Sequence, residues 1–89
     1  MSVNEADISL QSIRVFLYEN REIEFSDNSN SYFAEPVAIA GNKYQYKIWT
    51  THDNSCIFQG NPDDLLSFRF PNGKTLLKNL DDFHFSYIL

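Results

Sequence analysis

Two histidines, one cysteine and twelve carboxylates are the side chains of this sequence best suited to chemistry. His52, Asp53 and Cys56 fall in one short segment, and His84 could complete a set of four zinc ligands. Zinc sites usually announce themselves through Cys or His pairs at short spacing. Here His84 stands alone in an alternating run, so the expectation is a turn histidine, a buried structural thiol and no metal. A Cys–His nucleophile pair has no flanking signature and no helix start clearly placed to lower the thiol's pKa. Asp63-Asp64 and Asp81-Asp82 offer the two carboxylates that glycoside hydrolysis needs, but both pairs lie among turn residues, where solvated or capping carboxylates are expected. Gly41, Gly60 and Gly73 each sit at a turn, and Gly73-Lys74 lacks the glycine-rich run of a phosphate loop. With no catalytic set and no cofactor motif, the expectation is a non-enzymatic protein without cofactors.

What remains is the surface. The net charge is −5, and seven of the twelve acids fall within residues 1–35 against Arg14 and Arg21 alone. Direct nucleic-acid binding draws its affinity from Lys and Arg neutralising phosphates, so this acidity disfavours it. Lys43 and Lys47 interleaved with tyrosines resemble a base-stacking platform, yet two lysines neutralise too few phosphates. The field suits a basic protein partner instead. If residues 13–25 form a hairpin, Glu19, Glu22, Glu24 and Asp27 make a local negative ridge; charge on an edge strand also blocks aggregation and would explain the ridge without any partner. Trp49 falls on the polar face of its predicted strand, where an indole is a typical binding anchor, unless a bulge or second layer covers it. These five residues are the candidate partner-binding set of a small acidic binding module, such as an inhibitor or immunity-type protein. The alternative is a small-ligand or enzymatic β-domain whose pocket is lined by Tyr44, Tyr46, Phe68, Phe85 and Tyr87. A third reading is a homodimer joined through residues 83–89.

The elements that position these groups must come from 89 residues, enough for one core and hence a single domain over 1–89. Eight Phe, five Tyr and one Trp can fill that core, because each ring buries a large area. One cysteine excludes an intrachain disulfide, no apolar run is long enough to span a bilayer, and the N-terminus lacks the basic start of a signal peptide. A cytoplasmic location is expected, without membrane association.

Residues 1–7 are polar and expected to be flexible. Ile13, Val15 and Leu17 alternate, which predicts a strand; Ala6, Leu10, Ile13 and Leu17 also match helical spacing, with Asn4 as cap. Residues 22–25 alternate, and 26–31 predict a mobile polar loop. Residues 32–40 are apolar but contain Pro36, which predicts an edge, a bulge or a strand that begins at Val37. Gly41-Asn42 predicts a turn, residues 43–51 a strand with Tyr44, Tyr46 and Ile48 on one face, 52–55 a turn and 56–59 a returning strand. Asn61-Pro62-Asp63-Asp64 predicts a short helix. Asn72-Gly73 predicts a hairpin that pairs Phe68–Phe70 with residues 75–77. The chain closes in a turn at 79–82 and a strand with Phe83, Phe85, Tyr87 and Leu89 on one face. The fold class is thus mainly β or α+β: an antiparallel meander or barrel-like sheet of five to seven strands, with or without one N-terminal helix packed on it.

Overall fold

A computed structural model describes residues 8–89. Three short helices lie on one face of a five-stranded antiparallel sheet. In chain order the elements are α1 (Leu10–Tyr18), β1 (Ile23–Ser26), β2 (Ser31–Ala40), β3 (Lys43–Thr50), β4 (Cys56–Gly60), α2 (Pro62–Ser67), α3 (Leu76–Asn79), a 3-10 turn (Leu80–Asp82) and β5 (His84–Ile88). The strand order is β4-β3-β2-β1-β5, so a four-stranded meander is completed by a last strand that returns beside the first. The sheet is open, with β4 and β5 at its edges, rather than closed into a barrel.

The strand expected over 13–18 is helical. Ser9 caps α1 by accepting from Ser12 N at 3.1 Å, while Ser12 Oγ accepts from Ser9 N at 2.9 Å. This reciprocal pair satisfies two amides that a helix start would otherwise leave without partners. Ile13 and Leu17 are fully buried and Val15 is exposed, so helical spacing, not alternation, sets the inward face. The cap is Ser9 rather than Asn4, which lies with the rest of residues 1–7 outside the described residues. At the other end Asn20 takes a left-handed conformation (φ 59°); its N–H bonds Leu17 O at 3.1 Å and Arg21 N–H bonds Phe16 O at 3.1 Å. This is a Schellman stop, the termination for which Gly and Asn are suited. Arg21 lays its guanidinium 5.7 Å from the Phe16 ring and pairs with Glu19 at 2.8 Å.

β1 and β2 form a hairpin in which Ile23 opposes Ala34 and Ser26 opposes Ser31. β2 begins at Ser31, not at Val37, and runs through Pro36, which takes the edge position that was one of the expected outcomes. The missing amide is tolerated because β1 reaches β2 only as far as Ala34, which leaves the outer side of β2 unpaired at Pro36. β4 in turn pairs β3 only from Tyr46 onward, so residues 37–45 project as a two-stranded arm with Ile39 and Tyr44 about half exposed. Tyr44 therefore continues the apolar face of Tyr46 and Ile48 but passes beyond the core that buries them.

α2 starts as its sequence predicts: Asn61 Oδ1 accepts from Asp64 N at 2.7 Å, Pro62 fills the first helical position, and Asp63 and Asp64 face the helix's positive end. The hairpin expected from Asn72-Gly73 does not form. The turn itself exists, with Gly73 N–H bonded to Phe70 O at 2.8 Å and Gly73 at φ 81°, but Thr75 then caps α3 by accepting from Lys78 N at 3.2 Å. Phe70 is buried and Phe68 half-buried in the core, not paired in a strand. In β5 a bulge opposite Glu24 and Phe25 shifts the alternation: Phe83, Phe85 and Ile88 are buried, whereas Tyr87 and Leu89 are exposed.

The core joins Ile13 and Leu17 of α1, Leu65 and Leu66 of α2 and Leu76 of α3 to the inward residues of the strands. At its centre Phe25 meets Tyr32, Phe70, Phe83 and Phe85 with ring centroids 5.4 to 6.1 Å apart. Tyr46 reaches through this layer to donate to Arg21 O at 2.8 Å, and burial pushes its pKa up. Tyr18 closes the helical side by donating to Asp63 Oδ2 at 2.9 Å.

Candidate functional site: the open face of the sheet

All three helices pack against one side of the sheet, so the opposite face carries no covering element among the described residues. Antiparallel register decides which side chains stand together there, because directly opposed residues share a face with Cβ atoms about 5 Å apart. Cys56 opposes Trp49, Trp49 opposes Phe33, Phe33 opposes Glu24, and Glu24 opposes Tyr87. The result is one row across all five strands, with a carboxylate between two aromatic rings and an indole one strand further on. The next row is polar, with Gln59 opposite Lys47 and Lys47 opposite Glu35.

Trp49 is fixed by its neighbours. Its indole N–H donates to Glu35 Oε1 at 3.0 Å, and the Lys47 ammonium lies 5.5 Å from the ring centroid. It is half-buried by these contacts, not by a second layer or a bulge folded over it. Glu24 differs: it is exposed and forms no ion pair among the described residues. Glu22, one residue before β1, continues the alternation on the same side. Within the five-stranded part the carboxylates of Glu22, Glu24 and Glu35 are matched by Lys47 alone, while Lys43 stands at the tip of the arm.

The ridge expected from residues 13–25 as an edge hairpin is not built. β1 is an interior strand, flanked by β2 and β5, and Glu19 lies at the end of α1 paired with Arg21. Asp27 is buried and turned into its own hairpin: Oδ1 accepts from Ser29 N at 2.7 Å and Asn30 N at 2.8 Å, and Oδ2 accepts from Tyr32 Oη at 3.0 Å. Burial and this carboxylate together push the Tyr32 pKa up to about 12. Of the five residues singled out in the sequence, Glu22, Glu24 and Trp49 share the open face, whereas Glu19 and Asp27 serve local structure. Phe33 was missed, and Tyr87 was singled out only as a pocket lining and not as a neighbour of Glu24, since no local signal reveals which residues a strand will oppose.

The remaining chemical candidates disperse. His52 and Asp53 are exposed with 3.6 Å between them, and Asp53 is held below the usual carboxylate range by the Thr50 hydroxyl and the Ser55 backbone N–H. Cys56 is exposed, not the buried thiol expected. Among the described residues no three His, Cys, Asp or Glu gather as metal ligands, and no helix is long and apolar enough to cross a membrane. The rings proposed as a pocket lining do not converge: Tyr46 and Phe85 are in the core, Tyr44 and Tyr87 outside it. A shallow groove on α1 is lined by Leu10, Gln11, Arg14, Val15, Tyr18 and Glu19. One helix supplies its whole lining, so no wall opposes a ligand.

Comparison of the chain with family models, curated proteins and solved structures found no match.

Proposed function

We propose that this protein is a non-enzymatic binding module whose uncovered sheet face docks on a basic surface of a protein partner. The observation that carries the reading is the row Trp49, Phe33, Glu24, Tyr87, with Glu22 and Glu35 adding negative charge to the same face. Aromatic side chains anchor interfaces through large buried areas, and rim carboxylates speed and orient encounter with a cationic surface. The acidity of the whole chain acts in the same direction at longer range. An inhibitor that blocks a nucleic-acid enzyme's basic cleft is one protein of this kind. The test is affinity capture on the purified full chain beside a variant carrying Glu22→Lys and Glu24→Lys. Basic proteins captured at low salt, released at high salt and absent from the variant support the reading. Capture that is indifferent to both salt and charge reversal, or none at all, overturns it.

A further inference from the structure

We infer that Glu24, with Phe33 and Tyr87 on either side, is a receptor for an arginine side chain of the partner; this rests on the docking role of the open face. Phe33 on β2 and Tyr87 on β5 both stand directly opposite Glu24, which places a ring on each flank of one carboxylate. Ser86, the extra residue of the β5 bulge, donates its hydroxyl to Glu24 O at 3.2 Å and ties this part of β5 to β1. The other carboxylate in the open rows, Glu35, is already engaged by the Trp49 N–H, and the Trp49 ring already carries Lys47. Glu24 and Glu22 have no such internal match, and of the two only Glu24 stands directly opposite an aromatic residue on both neighbouring strands, so it is the acid on this face placed to receive a foreign cation between rings.

The geometry selects the cation. A side chain reaching Glu24 from above the sheet passes between the two rings, where a planar guanidinium stacks on an aromatic face while it offers two parallel N–H groups to the carboxylate. A lysine ammonium satisfies the charge but neither stacks nor bonds in a fork, and its stronger hydration opposes burial between rings. The receptor therefore reads arginine in preference to lysine.

The measurement is an amide NMR titration of the isotope-labelled full chain with capped tri-arginine and tri-lysine peptides. Tri-arginine is expected to move the resonances of Glu24, Phe33 and Tyr87 saturably and to bind about three- to fivefold more tightly than tri-lysine. Glu24→Gln, which keeps shape and removes charge, weakens tri-arginine several-fold with the rest of the spectrum unchanged. Tyr87→Leu lowers affinity for tri-arginine and leaves tri-lysine as it was. Equal affinities for the two peptides, shifts that map away from Glu24, or an unaffected Glu24→Gln overturn the inference. If charge-dependent capture persists while the peptides bind equally, the docking role stands and the arginine receptor falls. If neither capture nor shifts occur, both fall.

Discussion

Asp27 shows how a residue that looks like surface charge can be structural. Its carboxylate takes three hydrogen bonds, one of them from the buried Tyr32 hydroxyl, so the side chain builds the β1–β2 turn. Asp27→Ala removes the acceptor of all three bonds and is expected to lower unfolding free energy by about 2 to 3 kcal/mol; Tyr32→Phe, which removes one of the three and leaves the two backbone bonds, should lower it by about 1 kcal/mol. Urea denaturation of both variants checks the difference. Equal losses would mean that the Ser29 and Asn30 amides find water when Asp27 is gone. The same residue marks the limit of what was legible in the site. Glu24 and Trp49 stand out in the sequence by charge and by position on a polar strand face. That Asp27 turns inward, and that Phe33 and Tyr87 flank Glu24, depends on turn chemistry and on pairing between residues distant in the chain.

At the scale of elements, legibility tracks how local the determinants are. β3, the turns at Gly41-Asn42 and residues 52–55, and the capped start of α2 are specified by adjacent side chains, and all form where expected. α1 was harder to read because Ile13, Val15 and Leu17 satisfy both periods; burial of Ile13 and Leu17 under α2 decides for the helix. The hairpin expected at Asn72-Gly73 fails for a similar reason: the turn is local, but residues 75–79 are governed by the Thr75 cap and by burial of Leu76. The end of α1 is testable at one position. Asn20 has a left-handed backbone, which a Cβ-branched or unassisted side chain adopts at a cost, so Asn20→Ala is expected to destabilise by about 1 kcal/mol and Asn20→Gly to be neutral or better. Thermal melts of the two variants separate these outcomes; equal effects would point to loss of the asparagine side chain rather than to backbone strain.

For the molecule as a whole, two buried tyrosines are expected to set its alkaline limit. Tyr32 and Tyr46 are buried, and both have pKa values raised above the ordinary value of 10.0, to about 12 for Tyr32. The folded state thus keeps protons that the unfolded chain releases. Their contribution is complete below about pH 10 and is lost as pH rises through about 12. Urea midpoints should be level from pH 8 to about 10 and fall steeply above it, with a shallower fall in Tyr32→Phe. A profile that stays level through pH 12 would contradict this. The overall architecture places the helices and aromatic core on one side of the sheet and the proposed docking row on the other, so the proposed role can be tested by substitutions that leave the core intact. The position of the sole indole has an optical consequence: excited at wavelengths that tyrosine does not absorb, the chain emits only from its uncovered strands, so it carries its own fluorescent gauge of that face.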